Sequence, residues 1–145
     1  MARHIKAFIL TALLLFAAPV FAQERTISVI INGGTVYFDV PPLLYEDRVL
    51  VPMRPVFEEL GADVTWVGDR QMIIATHGER VILMEIGMDV LVKTNVLEGA
   101  SERIALDVPP QIVDERTLVP IRAVSEALGA QVEWDGTKQQ VLITK

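Results

Sequence analysis

An internal repeat governs how this chain can fold. Residues 40–77 align without a gap onto residues 108–145, at an offset of 68, and 18 of the 38 aligned positions are identical. Chance does not give identity of this extent, so the sequence indicates a duplicated unit whose copies fold into the same series of elements. We expect two tandem repeats that cover residues 23–78 and 79–145, joined without a long linker.

Each copy predicts a short α-helix packed on antiparallel β-strands, which is the α+β class. A Pro-Pro pair is followed by a charged turn and a short apolar strand, at residues 49–51 and again at 117–119. Pro52 and Pro120 come next, and proline is tolerated where a helix starts because the N–H there has no helical partner. Beyond each proline, apolar residues recur with the spacing of one helix face over about eight residues.

Alternating apolar residues predict strands around each helix. Val64 and Trp66 alternate with polar residues, as do Val132 and Trp134. Residues 27–40 alternate on both sides of an Asn-Gly-Gly turn, which predicts a hairpin. Further strands are expected at residues 72–76, 81–86, 90–94, 104–108 and 140–144. The expected architecture is one compact unit of antiparallel strands with two short helices.

The first 22 residues have the pattern of a secretory signal peptide. A short basic segment precedes an apolar run at residues 7–18, and small residues stand at the positions that a signal peptidase reads. The run ends at Pro19 and is shorter than the roughly 20 residues that span a bilayer, so no membrane anchor is expected. We expect cleavage before Gln23 and an extracytoplasmic location (secreted, cell surface or periplasm). The alternative is a buried N-terminal helix.

Charge argues against nucleic acid and membrane surfaces as partners. Loss of Arg3 and Lys6 with the signal lowers the basic count from 13 to 11 against 19 acidic residues, a net charge of −8. An acidic surface without a basic cluster repels phosphate backbones and anionic lipids. The chain contains no cysteine, which excludes disulfides, thiolate metal sites and thiol catalysis.

The repeated pattern V-P-P…R-x-L-V-P-x-R-x-V-x-E-x-L-G-A-x-V-x-W-x-G resembles the copper amine oxidase N-terminal domain-like repeat of exported bacterial proteins. The first copy departs at Pro55 and Val67, where the second has Ala123 and Asp135. The resemblance implies a non-catalytic stalk, since copper and the tyrosine-derived cofactor of the amine oxidases belong to a separate catalytic domain. It therefore implies a binding role without a cofactor.

Groups that carry catalysis are scarce. Once the signal is removed His77 is the only histidine, too few for a copper site of three histidines, and no catalytic motif surrounds a serine. Paired carboxylates can hydrolyse glycosides, and Glu58 with Glu126, or Glu46 with Asp114, are repeat-equivalent. Their positions on a polar helix face and in a turn favour solvated surface charge. We expect no enzyme activity and no metal.

Arg54 and Arg122 recur at the start of the two predicted helices, where a cation opposes the helix dipole. Their matched placement predicts structural ion pairs that lock each helix to the sheet, with ligand binding as the alternative. The candidate partners are four repeat-equivalent acids. They are Glu58 and Glu126, one helical turn on, and Asp39 and Asp107, ahead of the Pro-Pro pairs.

Trp66 and Trp134 are the candidate ligand contacts. An exposed indole on a cell-surface protein can stack on sugars, but both residues occupy the apolar phase of a strand alternation, which favours core packing.

The expected function is an exported, non-catalytic binding or scaffolding module that contacts an envelope or extracellular protein, with strand addition to an exposed sheet edge as a docking mode. The alternative is a weak carbohydrate- or peptidoglycan-binding module whose two copies bind cell-wall polymer multivalently. A hydrolase that uses paired Glu or Asp residues is the third possibility.

Overall fold

A computed structural model describes residues 26–145, and the expected signal peptide lies outside these residues. Strands dominate, with two short α-helices and one turn of 3-10 helix at Gly68–Arg70. In chain order the elements are β1 (Ser28–Ile31), β2 (Gly34–Val36), β3 (Leu43–Tyr45), β4 (Arg48–Pro52), α1 (Met53–Glu59), β5 (Asp63–Val67), β6 (Met72–His77), β7 (Arg80–Glu85), β8 (Val90–Asn95), β9 (Ala100–Ala105), β10 (Gln111–Val113), β11 (Arg116–Pro120), α2 (Ile121–Ala127), β12 (Gln131–Asp135) and β13 (Gln140–Thr144). The α+β class is thus observed.

The series β3-β4-α1-β5-β6 recurs as β10-β11-α2-β12-β13, at the offset of 68 residues seen in the sequence. Each helix begins directly after a proline that is still the last residue of a strand, so strand and helix join without a loop. Each helix ends in the same left-handed stop. In the first, Gly61 has φ +77°, its N–H donates to the Glu58 carbonyl, and Ala62 N–H donates to the Phe57 carbonyl.

Three sheets contain the strands. Sheet A has the order β12-β13-β1-β2, sheet B has β10-β11-β4-β3, and sheet C has β5-β6-β7-β8-β9. Each sheet combines strands from both sides of residue 78. The predicted boundary between residues 78 and 79 therefore does not coincide with a division between sheets.

The centre of sheet B joins the two repeated sequences. Strands β4 and β11 pair antiparallel with Val51 opposite Val119, which are the same position of the repeat. The residues on either side of this point pair reciprocally, with Leu50 opposite Pro120 and Pro52 opposite Leu118. Such reciprocal pairing is the signature of an isologous, two-fold interface, here formed inside one chain.

Three sequence-based strand predictions differ from the structure. Strand β1 pairs parallel with β13, whereas only antiparallel strands were expected. Parallel pairing is possible because β13 lies at the far end of the second copy and is not joined to β1 by a hairpin. The hairpin around the Asn-Gly-Gly turn ends at Val36 and does not continue to residue 40, since residues 39–40 bend toward the Pro-Pro pair. The strand expected at residues 104–108 starts at Ala100 and ends at Ala105.

One main hydrophobic cluster includes both helices and the inner faces of sheets A and C. Val51 and Val119 belong to this cluster, whereas Leu50 and Leu118 belong to a smaller one on the opposite face of sheet B, together with Val108. The centre of sheet B is therefore buried on both faces.

Ser125 is the one polar residue that is fully buried among residues 26–145. It occupies the position that Phe57 holds in the first copy, and its Oγ has no hydrogen-bond partner among the described residues. A buried hydroxyl left without a partner costs about 1–3 kcal/mol.

Replacing Ser125 with Ala should therefore raise the free energy of unfolding by about 1 kcal/mol, because the substitution removes an unpartnered polar atom and little volume. Chemical denaturation measures the change. Ser101→Ala is the control, since the Ser101 hydroxyl is exposed and bonds Thr94 at 2.9 Å, and it should change stability by less than about 0.5 kcal/mol. A less stable Ser125→Ala protein would show that the hydroxyl is satisfied in solution.

Candidate functional site

Two reciprocal ion pairs connect the repeated sequences on either side of the β4–β11 junction. Arg48, at the start of β4, donates to Asp107 Oδ2 from Nη2 at 2.6 Å and from Nε at 2.9 Å. Arg116, at the start of β11, donates to Asp39 Oδ2 from Nη2 at 2.7 Å and from Nε at 2.8 Å. Asp39 and Asp107 thus lie against the strand arginines and do not meet Arg54 or Arg122.

The helix arginines lie near the acids one turn further on. Arg54 Nη1 is 3.7 Å from Glu58 Oε1, and Arg122 Nη1 is 3.4 Å from Glu126 Oε1. Exposed pairs at this spacing contribute only about 0.3–0.5 kcal/mol. Arg122 has a second contact, because its Nη1 also donates to the Val132 carbonyl of β12 at 2.8 Å. This bond ties α2 to the edge of sheet A.

Cations from elsewhere in the chain donate to the carbonyl of the C-cap residue that follows each helix. Lys145 Nζ donates to the Leu60 carbonyl at 2.8 Å, and Arg80 Nη1 donates to the Leu128 carbonyl at 2.9 Å. Positive charge at a helix C-terminus is favourable. Burial lowers the pKa of the Lys145 ammonium, and the charge of Arg80 lowers it further. His77 ends β6 and is half-buried, and its Nε2 lies 2.9 Å from Lys145 Nζ, so it belongs to this capping cluster.

A groove of about 880 Å³ lies between β9 and the segment after it, helix α2 and strand β12. Trp134 stands in its wall with 40% of its surface exposed, whereas core packing was expected for this residue. Trp66, its counterpart in the first copy, is half-buried and packs against the main hydrophobic cluster, as expected. The two tryptophans therefore occupy different environments at equivalent positions of the repeat.

The solvent side of sheet C is aliphatic. Cross-strand neighbours Ile74, Leu83 and Val92 form its central row, and none of them belongs to a hydrophobic cluster. Antiparallel sheets that face water on one side normally carry polar residues there. We call this surface the outer face of sheet C, defined by six half-buried side chains. They are Met72, Ile74, Val81, Leu83, Val90 and Val92.

The outer face ends at an open strand edge. The N–H of Leu106 donates to the Asp89 carbonyl at 2.8 Å, which fixes the phase of hydrogen bonding between β8 and β9. In an antiparallel pair, residues that hydrogen-bond to the neighbouring strand alternate with residues that do not. Since Leu106 bonds to β8, the backbone N–H and C=O groups of Ser101, Arg103 and Ala105 point away from β8. Among the described residues no backbone partner is found for these groups.

Sequence reasoning missed the outer face, although a signal was present. The strands read Met-Ile-Ile-Ala, Val-Ile-Leu-Met and Val-Leu-Val, without the polar alternation of a one-sided strand. Continuous apolar runs are typical of strands covered on both faces.

The described residues do not fit a copper centre. Between residues 26 and 145 no group of three or more His, Cys, Asp or Glu side chains is placed to hold a metal ion. Copper sites in proteins draw on histidine or sulfur ligands, and this range contains one histidine and no cysteine. Neither α1 nor α2 has the length and apolarity that crossing a membrane would take.

Comparison with known families gives one match. The model of the family described as copper amine oxidase N-terminal domain matches residues 30–145, which include the groove, the outer face of sheet C and both repeated sequences. No curated protein matches the chain. The resemblance read from the repeated pattern is thus confirmed.

The Arg116–Asp39 pair should give the protein part of its sensitivity to acid. The hydrogen bond from Arg116 holds the pKa of the Asp39 carboxyl below its ordinary value of 3.8. The contribution of this ion pair to the free energy of unfolding is therefore present above pH 3.8, and it is lost as the pH falls through the lower pKa that Asp39 has in the folded state. Asp39→Asn should flatten this acid-side loss when the free energy of unfolding is measured against pH. Asp69→Asn, an exposed acid without an ion pair among the described residues, should leave the slope unchanged.

The two tryptophans should also be distinguishable in solution. In Trp66→Phe, which leaves Trp134, acrylamide should quench the emission strongly because the indole is open to solvent. In Trp134→Phe, which leaves Trp66, quenching should be weaker and the emission shifted to the blue. Equal quenching of the two variants would show that the groove is closed around Trp134.

Proposed function

The chain belongs to the copper amine oxidase N-terminal domain family, and on that premise we propose that it is an exported, non-catalytic binding module that docks an envelope or extracellular protein. The domain is an accessory, non-catalytic part of the amine oxidases that give the family its name. The outer face of sheet C is the observation that carries the proposal.

An aliphatic sheet face in water favours a partner that covers it. Burial of apolar surface contributes about 25 cal/mol per Å², and contiguous exposed apolar patches mark interaction sites on soluble proteins. The partner that fits has an apolar face of its own. It also offers a carboxylate near Arg103, which has no ion pair among the described residues.

The open edge of β9 supports the same partner. Its outward backbone groups give three donors and three acceptors, which an extended segment can pair with by strand addition. Self-association along this edge is disfavoured, because a two-fold pairing centred on Arg103 places like charges opposite each other.

Duplication supports a scaffolding role. We infer that the chain is a tandem repeat whose copies are fused through β4 and β11, because the pairing there is reciprocal and the elements recur at one offset. Fusion through a sheet buried on both faces leaves no flexible linker between the copies. The module would thus present its surfaces in a fixed relation.

Matched variants test the docking surface. The chain without its first 22 residues is used to capture partners from envelope protein extract. The variant Ile74→Lys/Leu83→Lys should capture at least about tenfold less of the partner band, because it places charges in an interface where they lose their water. The control is Ile30→Lys/Leu142→Lys on sheet A, where Leu142 is the repeat equivalent of Ile74 and pairs with Ile30.

The control protein should retain the band, and circular dichroism should show both variants folded. Retention of the same band by Ile74→Lys/Leu83→Lys would show that the outer face of sheet C is not the docking surface. Capture that is lost equally in both variants would point to a general effect of added charge.

A further inference from the structure

We propose that the groove beside Trp134 binds an uncharged glycan, at one site per chain. This goes beyond docking of a protein, since the groove and the outer face of sheet C are separate surfaces. The inference rests on the exposed indole, on the pairing of charges around the groove, on a blocked strand edge and on differences between the two copies.

Trp134 supplies a flat apolar platform. Its indole lies over Gly136, where an added Cβ would be 3.3 Å from the indole Nε1. Aromatic rings with an exposed face offer large apolar area at small conformational cost, and the C–H face of a sugar ring is complementary to such a plane. A glycan can therefore stack on Trp134 while its hydroxyl groups stay hydrogen-bonded.

Charges around the groove favour a neutral ligand. Each cation in the lining has a carboxylate partner: Arg48 with Asp107 at 2.6 Å, Lys93 with Glu102 at 2.8 Å, and Arg122 with Glu126 at 3.4 Å. No lining cation is thus left to attract a polyanion.

One acidic residue of the lining, Asp47, has no ion pair among residues 26–145. Ionised carboxylates only accept hydrogen bonds, which suits the hydroxyl donors of a sugar.

A peptide strand is the competing occupant, and the groove wall opposes it. An extended peptide in this groove would pair with the edge of β12, whose outward carbonyl at Val132 already accepts from Arg122 at 2.8 Å. The next edge, β3, is only three residues long and follows Pro42, which has no N–H to donate. Of the open edge of β9 only Ala105 borders the groove, since Ser101 and Arg103 are not among its lining residues, which leaves too short a run for a strand to pair along. Side-chain recognition of a glycan needs none of these edges.

The two copies differ at the positions that line the groove. On α2 the lining includes Ala123 and Ala127, where the first copy has the larger Pro55 and Glu59. Trp134 is 40% exposed, whereas its counterpart Trp66 packs against the main hydrophobic cluster. The proposal is therefore one glycan site per chain, and not the multivalent binding by both copies that was the sequence-based alternative.

Defined sugars test the site directly. Short neutral oligosaccharides (of glucose, N-acetylglucosamine, mannose and maltose type) are titrated into Trp66→Phe, which reports from Trp134 alone, with calorimetry on the wild-type chain. At least one should change the emission of Trp134 and saturate at one site. Trp134→Ala should lower the affinity about tenfold or more.

Trp134→Phe is the matched variant, because it keeps an aromatic ring as a platform. By calorimetry it should bind sugar more tightly than Trp134→Ala, and Ile74→Lys/Leu83→Lys should bind as the wild type does. The proposal is overturned if no neutral oligosaccharide binds, if Trp134→Ala binds as well as wild type, or if an anionic polysaccharide or a basic peptide occupies the site instead.

Discussion

Pairing of β4 with β11 is the constraint on which the rest of the structure depends. Val51 faces Val119 at the centre of sheet B, with Leu50 and Leu118 buried on the opposite face. Each of these strands leads directly into a helix, so the junction also fixes where α1 and α2 start. The reciprocal ion pairs of Arg48 and Arg116 flank it. They are exposed and individually weak, and their role is to favour this register over a shifted one.

Pairing through this sheet holds the two repeated sequences together although their surroundings differ. Trp66 lies against the core in the first of them, while Trp134 stands in the wall of a groove lined by Ala123 and Ala127 in the second. Sheets A and C then diverge as well, because β1 joins sheet A in parallel and β7 joins sheet C antiparallel. The same series of elements thus accompanies two unlike surfaces, a groove and an aliphatic sheet face.

The repeat allowed much of the fold to be predicted, since strand, proline, helix and glycine stop follow from local spacing. Contacts between distant segments could not be predicted in this way. Arg48 and Asp107, for example, are 59 residues apart. Nothing in the spacing showed whether Asp107 would pair with Arg48 or with Arg122. The environment of Trp134 depends on the segment after β9 and on α2, which form the other walls of the groove, and alternation within β12 contains no information about them.

Equilibrium unfolding followed separately through each tryptophan tests the central claim most directly. Trp66→Phe and Trp134→Phe leave one reporter in sheet A and one in sheet C, respectively, and each is unfolded by denaturant and referenced to the backbone signal by circular dichroism. If the copies form one cooperative unit through β4 and β11, tryptophan and backbone transitions coincide within each variant. A tryptophan transition that separates from the backbone transition would contradict this, because it would mean that one part unfolds while the other persists.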